Sequence, residues 1–318
     1  MTAALNKVII GTRGSQLALW QAEWVKKELT RFHPKCHIEI EIINTTGDKI
    51  LDSPLSKIGD KGLFTKEIEL ALLDHHIDLA VHSLKDVPTN LPKGLTLAAI
   101  TKREDVRDVF ISHPQKNYKK FSDVPVKAKI ATGSLRRKCQ ALSWRQDLEI
   151  IDLRGNLNTR FAKLDSSEWD GMILAYAGVT RLGFQNRITE ILPFDIMLPA
   201  IGQGALGIEI REEDEKLKDF LQPLASEATT CATSGERAFL HALEGGCQIP
   251  IGAFARIEEN VFIMDALIGS LDGKKTIRGS IKGNPDEAEN LGIQLAKTLA
   301  ESGGKEILDQ IRNINYSK

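Results

Sequence analysis

Residues 7–32 read KVIIGTRGSQLALWQAEWVKKELTRF, and the order of residue types in this stretch decides the fold class. Residues 7–10 are an apolar, β-branched run, and Gly11 to Ser15 interrupts it. Ala18, Ala22, Val25, Leu29 and Phe32 then recur at alternating spacings of four and three, which is one face of a helix. Strand, polar loop and helix in that order are the unit of an α/β sheet, and the unit returns further along the chain. Residues 37–43 alternate with Ile38, Ile40 and Ile42 on one side, 64–74 carry a helical pattern, and 77–81 are a second apolar strand. Past residue 105, strands are expected at 129–131, 149–153 and 172–174, with helices at 135–144 and 157–164 between them, which predicts a second α/β unit. Alternation of this kind builds mostly parallel sheets with helices on both faces, and such sheets bind ligands at the carboxyl ends of their strands.

From about residue 223 the rhythm changes. A helix at 234–243 leads into strands at 251–255, 261–268 and 275–281 and a helix at 286–300, the pattern of a small α+β domain. Residues 198–210, where Gly202, Gly204 and Gly207 stand among apolar residues, read as a hinge or as the chain crossing back between domains. No internal repeat or low-complexity stretch is found.

Bulk composition limits the function. The 318 residues are 42% hydrophobic and 27% charged, as in an ordinary globular protein of two or three domains. A net charge of -1 and a pI near 6.7 give no reason to expect nucleic acid or an anionic membrane as partner, so any anion site must come from local clustering. Cys36, Cys139, Cys231 and Cys247 form no CxxC pair and have no His at zinc spacing, so neither a metal nor a disulfide framework is expected. The first fourteen residues hold no signal-peptide core and no run approaches the ~20 residues of a spanning helix, which points to the cytoplasm.

Basic and hydroxyl residues sit repeatedly just after the expected strands: Gly11-Thr12-Arg13-Gly14-Ser15, His82-Ser83-Leu84-Lys85-Asp86, Thr132-Gly133-Ser134-Leu135-Arg136-Arg137 and Leu153-Arg154-Gly155-Asn156. Free N–H groups at a helix start, joined by hydroxyls and a guanidinium fork, suit a carboxylate or a phosphate. Any one of these arginines is equally well a surface ion-pair partner, and Ser and Thr cap helices everywhere. Adjacent Arg136 and Arg137 in the first turn of a helix say more, because the dipole disfavours cations there unless an anion compensates. The cluster as a whole predicts an arginine-lined cleft for a small, carboxylate-rich substrate. Asp86 is the one acid among these bases, suited to stabilise a developing cation or accept a proton, with a salt bridge to Lys85 or an arginine as the alternative. Lys57 and Lys61 flank Gly59 and Gly62, a candidate lid or simply a solvated loop. Cys247 lies in the glycine-flanked turn GGCQIP, where a thiol is reachable, while Cys36, Cys139 and Cys231 read as inert thiols, and His75 and His76 read as structural.

Seven ordered segments resemble the porphobilinogen deaminase (hydroxymethylbilane synthase) family: GTRGSQLALWQ from Gly11, GDKGLFTKEIE from Gly59, AVHSLKDVP from Ala80, ATGSLRRKCQ from Ala131, LRGNLNTR from Leu153, LPAIGQGALGIE from Leu198 and GGCQIPIG from Gly245. Together they span nearly the whole chain. The resemblance implies two α/β domains of the type II periplasmic-binding-protein kind, residues 1–104 with 202–222 and residues 105–201, and a small α+β C-terminal domain, 223–318, that carries the cofactor cysteine. It implies a cytoplasmic, monomeric transferase of tetrapyrrole biosynthesis. In the family a dipyrromethane is held by a thioether to the cysteine matching Cys247. Four porphobilinogens lose ammonia and join it head to tail, and hydrolysis releases hydroxymethylbilane, the substrate that uroporphyrinogen-III synthase takes on. Each pyrrole carries an acetate and a propionate, and to these carboxylates the resemblance assigns Arg13, Ser83, Lys85, Thr132, Ser134, Arg136, Arg137, Arg154 and Arg160, with Ser15, Gln21, Gly155, Asn156 and Gln203 in the substrate site. Asp86 matches the catalytic aspartate, with Arg13, Lys85 and Arg154 beside it in the catalytic set. Gln203 and Arg181 match motif positions that also suit structural roles, and the departures, at Gly14, Gly133, Leu157 and Phe161, remove no charged group.

Two α/β lobes around an anion-lined cleft also describe a non-catalytic carboxylate-binding protein. A third domain, the absence of an export signal and the reachable Cys247 argue against it. Acyl transfer from a cysteine needs a general base, and neither Gln248 nor any nearby His supplies one.

Overall fold

The computed structural model describes residues 5–49, 65–244 and 249–316. The chain opens with β1 (Lys7–Thr12), α1 (Gln16–Phe32), β2 (His37–Ile42), α2 (Thr46–Lys49), α3 (Lys66–Leu73), β3 (Leu79–Ser83) and β4 (Leu95–Ile100). It continues through β5 (Asp108–Ser112), β6 (Lys129–Ala131), α4 (Leu135–Trp144), β7 (Glu149–Ile151), α5 (Leu157–Asp165), β8 (Gly171–Ala175), α6 (Tyr176–Arg181) and β9 (Glu190–Ile191). It then passes through β10 (Leu206–Arg211), α7 (Glu215–Leu221) and α8 (Glu227–Ala242), and ends with β11 (Ile251–Glu258), β12 (Val261–Gly269), β13 (Thr276–Gly283), α9 (Ala288–Leu299) and α10 (Lys305–Tyr316). Two compact units result: described residues 5–49, 65–104 and 202–230 form one, and 105–201, 231–244 and 249–316 the other.

The first unit is built on a five-stranded sheet in the order β2-β1-β3-β10-β4. Strand β1 pairs parallel with β2 and β3, whereas β10 runs antiparallel between β3 and β4. Val8, Ile10, Leu79, Val81, Ile208 and Ile210 pack one face against Ala22, Val25 and Leu29 of α1, and Ala80 and Leu95 pack the other against Ile68 and Leu72 of α3. Covering both faces of the sheet is why its strands read as apolar runs. The expected helical stripe stops at Leu29, because Phe32 in the last turn is 42% exposed.

The second unit contains a sheet of the same arrangement, β7-β6-β8-β5-β9, in which β5 is the antiparallel strand. In each sheet the antiparallel strand is the first one laid down after the chain passes from one unit to the other, at residues 104–105 for β5 and 201–202 for β10. The duplication is one of topology and left no repeat in the sequence. The second unit also holds the antiparallel meander β11-β12-β13, whose inner face buries Phe262, Met264 and Ile268 against α8, α9 and α10. The α+β expectation for this part therefore holds.

Three expected boundaries are corrected. Of the two readings of residues 198–210, the crossing agrees with the passage between units at 201–202, where Gly202 and Gly204 turn the chain at positive φ, but Leu206–Arg211 is a fully buried strand rather than part of the crossing, its alternation of Leu206, Ile208 and Ile210 with Gly207, Glu209 and Arg211 masked by the run of glycines. The strand expected at 77–81 lies at Leu79–Ser83, since Ile77 packs in the α3 core and the Asp78 carboxylate accepts a hydrogen bond from Ile9 N–H at 2.7 Å. Helix α8 begins at Glu227, seven residues before the expected start, through a Thr-rich first stretch that propensity disfavours but burial of Thr229, Ala232 and Thr233 supports.

Candidate functional site

Because β1 and β3 are adjacent and parallel, with Ile10 opposite Leu79 and Gly11 opposite Ala80, their carboxyl ends lie side by side and the loops that follow them meet. After β1 the loop carries Arg13 and ends at Ser15, the N-cap of α1, whose Oγ accepts the Ala18 N–H at 3.3 Å. After β3 the chain tightens into a 3-10 turn, Leu84–Asp86. Leu84 is buried and its N–H donates to the Ala205 carbonyl at 3.0 Å, which anchors the turn and leaves Asp86 exposed. Between the loops lies a recess of about 60 Å³, lined among others by Arg13, Ser15, Gln21, His82, Ser83 and Asp86.

The buried Gln21 donates from Nε2 to Ser83 Oγ at 2.8 Å. Ser83 therefore acts as acceptor inside the protein and keeps its hydroxyl proton to donate to a ligand. Lys85 is half-buried beside it. Among the described residues Asp86 forms no ion pair, so the salt-bridge alternative is not realised there.

The second unit presents its own set of groups. Thr132 is buried and its Oγ1 accepts the Ser134 N–H, while Ser134 caps α4 by accepting the Arg137 N–H. Asn156 caps α5, its Oδ1 accepting the Thr159 N–H at 2.9 Å. Arg160 donates from Nε to the carbonyl of Gly155, which sits at φ 108°. Half-buried Arg154 makes no side-chain hydrogen bond or ion pair among the described residues.

Arg136 and Arg137 are both 5% exposed and converge on one fully buried carboxylate, that of Asp108 at the start of β5, with N–O distances of 2.6 and 2.9 Å. Arg136 Nη1 also donates to the Leu198 carbonyl at 2.7 Å, and Arg137 Nη1 to that of Ile173 at 3.2 Å. Gln140 grips the Leu198 backbone as well, donating to its carbonyl and accepting its N–H. The counter-anion that two guanidiniums at a helix start demand is thus supplied by the chain itself. Burial alone would raise the Asp108 carboxyl, but the guanidiniums of Arg136 and Arg137 prevail and hold it well below the usual carboxylate range. Sequence reasoning passed over Asp108. The signal was an acid opening an otherwise apolar strand, DVFIS.

The remaining sequence candidates divide simply. Gln203 is buried, and its carbonyl accepts from Arg103 Nε at 2.7 Å, while Arg181 lies in the last turn of α6. Burial raises the thiols of Cys36 and Cys231 and pushes that of Cys139 up to about 12, the behaviour of inert cysteines. Cys247, Lys57 and Lys61 lie outside the described residues. No helix among the described residues is long and apolar enough to cross a membrane.

Comparison with known proteins adds an independent line. Residues 8–219 match the family model described as "Porphobilinogen deaminase, dipyromethane cofactor binding domain", and residues 229–301 match "Porphobilinogen deaminase, C-terminal domain". A porphobilinogen deaminase of Chlorobium phaeobacteroides (strain BS1) is 55% identical over 311 residues, which covers 96% of this chain and 98% of the relative. One from Chlorobaculum tepidum is 53% identical over 310 residues, with the same coverage. Solved structures that match include the methionine binding protein MetQ, with TM-score 0.44 and 15% identity over 68% of this chain and 89% of that one. Another is the Escherichia coli periplasmic aliphatic sulphonate binding protein SsuA, with TM-score 0.38 and 15% identity over 75% and 71%.

Proposed function

The chain belongs to the porphobilinogen deaminase family, and from that premise we propose how its residues carry out the family's reaction. It is a transferase of tetrapyrrole biosynthesis that joins four porphobilinogens head to tail on a covalent dipyrromethane primer, releasing ammonia and, after hydrolysis, hydroxymethylbilane.

The donors around the recess fit a carboxylate-bearing pyrrole. Arg13, Ser15 and Ser83 line the recess and, with Lys85 of the adjoining turn, offer hydrogen-bond donors to acetate and propionate groups, while Asp86 offers an acceptor to pyrrole N–H groups. Cys247 holds the dipyrromethane through a thioether, with Asp86, Lys85, Ser83, Thr132, Ser134, Arg136 and Arg137 as its further partners. When bound, the primer supplies the terminal pyrrole carbon on which the chain is built. Arg13, Ser15, Gln21, Arg154, Gly155, Asn156, Arg160 and Gln203 serve the incoming substrate. Ser15, Ser134 and Asn156 each spend an oxygen on capping a helix and keep an O–H or N–H to donate, so capping and anion binding are compatible.

Loss of ammonia leaves a cationic pyrrole. The exposed carboxylate of Asp86, in no ion pair among the described residues, lowers the energy of that charge and steers protons at the pyrrole nitrogens, with Arg13, Lys85 and Arg154 fixing the orientation of the acidic side chains. The observation that carries this reading is the meeting of Asp86 with Arg13, Ser15 and Ser83 at the ends of two adjacent parallel strands.

Three domains, 1–104 with 202–222, 105–201 and 223–318, make up the working molecule. It acts as a monomer in the cytoplasm and its product passes to uroporphyrinogen-III synthase. The net charge of -1 supports a small anionic substrate held by local clusters over any extended polyanion.

The deciding experiment is the intact mass of the denatured protein beside its Cys247→Ser variant. A mass excess of two pyrrole units, absent from the variant, is expected. An unmodified mass from a host that makes porphobilinogen, unchanged after incubation with it, would restore the carboxylate-binding reading.

A further inference from the structure

Gln140 lies one turn beyond Arg136 in α4, is 1% exposed, and has no part in the reaction as described. A buried amide is costly unless its hydrogen bonds are met. Here both ends of the side chain go to the backbone of one residue: Nε2 donates to the Leu198 carbonyl at 3.0 Å, and Oε1 accepts the Leu198 N–H at 2.8 Å. Two opposed bonds fix the direction of that backbone as well as its distance, which a single bond does not. The same carbonyl accepts from Arg136 Nη1 at 2.7 Å, so both of its lone pairs are used.

The next residue carries the hold onward. The Pro199 carbonyl accepts the Ala253 N–H at 3.0 Å, on the side of β11 that β12 leaves open, because β11 is an edge of its meander. Two residues later the Ala255 N–H donates to Glu236 Oε1 of α8 at 2.8 Å. Gly252 lies so close that a Cβ on it would stand 3.1 Å from the Leu198 carbonyl oxygen and 3.4 Å from Arg136 Cδ. Its φ is not positive, so the glycine serves this close approach rather than a turn. Helix α4, residues 198–199 and β11 thus form one chain of contacts inside a single compact unit.

Both ends of that chain bear on the primer. Ser134, Arg136 and Arg137 at the start of α4 are among the groups assigned to it, and Cys247 precedes Ile251, the first residue of β11, by four positions. We propose that Gln140 is a positioning residue for the primer: through Leu198 and Pro199 it sets where β11, the strand that follows the primer cysteine, stands against the start of α4.

The inference rests on the proposed attachment of the primer at Cys247, and its test separates the two. The full-length chain, produced in a host that makes no porphobilinogen, is incubated with porphobilinogen, and the gain of two pyrrole units is followed by intact mass. Wild type gains them. Gln140→Leu leaves the Leu198 N–H without its acceptor, and its attachment slows by about 10-fold or more among molecules that circular dichroism shows to be folded. Once primed, the variant turns over with kcat about 10-fold lower and KM within about twofold, because Arg13, Asp86 and Arg154 are untouched. Gly252→Ala keeps every hydrogen bond and presses a Cβ against Leu198, and it slows attachment by about threefold or more. Both changes act on the same backbone, so the double variant is scarcely slower than Gln140→Leu by itself. Leu295→Ala, a truncation in the core beneath α9, lowers stability without slowing attachment.

Attachment at the wild-type rate in either single variant, additive losses in the double variant, or equal slowing in Leu295→Ala overturns the positioning role. Should Gln140→Leu not fold, Gly252→Ala decides the matter alone. A wild-type chain that gains no mass overturns the primer reading itself, and this inference with it.

Discussion

Asp86 and Asp108 are both aspartates with arginines in view, and their surroundings give them opposite duties. Asp108 is fully buried and saturated by two guanidiniums, so its charge is spent inside the protein. Asp86 is exposed at the end of a 3-10 turn, and its charge is available to a ligand. Asp86→Asn keeps the shape and removes the charge, so it should bind porphobilinogen with little change in KM while kcat falls by about 10²- to 10⁴-fold in steady-state assays. Near-normal turnover would remove Asp86 from the mechanism. Asp108→Asn instead strands two buried cations and should cost about 3–5 kcal/mol in denaturant unfolding. The pH dependence follows from the sign of the shift. A carboxyl depressed in the folded state contributes stability that is fully present above the unfolded value of about 3.9 and is lost as pH falls through the folded one. Wild-type stability should therefore drop on acidification below about pH 4, with a shallower decline in Asp108→Asn.

At the scale of elements, the site depends on where parallel strands end and on how the chain crosses between units. The two crossing segments lie side by side within the first unit, with the Glu104 N–H donating to the Gly204 carbonyl and the Thr101 N–H to that of Leu206. Gly204 is at φ 93°, and a Cβ there would stand 2.6 Å from the Glu104 carbonyl oxygen. Gly204→Ala should thus lower stability by about 1–3 kcal/mol, measured by thermal or denaturant unfolding, and a neutral result would show that the crossing can relax. Gly155, at φ 108°, has Thr159 Cγ2 2.8 Å from the place of a Cβ. Gly155→Ala should displace the loop that presents Arg154 and Arg160 and raise KM for porphobilinogen more than it lowers kcat. Strand β10 shows why element reading fell short. Leu206, Ile208 and Ile210 alternate with Gly207, Glu209 and Arg211 as in a strand with one wet face, but three glycines in six residues drew the reading to a hinge or crossing, and tertiary structure buries both faces.

For the whole molecule, charge provides a direct assay of the reaction. The free chain carries a net charge of -1, and each porphobilinogen added brings an acetate and a propionate, so every addition makes the protein more anionic by two charges. Limiting substrate should therefore resolve the enzyme into discrete, successively more anodic bands on native electrophoresis, and Cys247→Ser should give a single band. A smear, or one shifted band at every substrate level, would argue against covalent stepwise growth. The alternation of apolar periods, the basic loops after strands, Asp86 and the glycine-flanked Cys247 were all legible in the chain, because local patterning and loop chemistry act over a few residues. Asp108 beneath Arg136 and Arg137, Glu209 against His82, and β10 between β3 and β4 join residues far apart in the chain, 127 positions in the case of His82 and Glu209. No period links such residues. Their meeting is decided by strand order and by the free energy of burying charge, which requires each buried ion to find a partner wherever the fold can bring one.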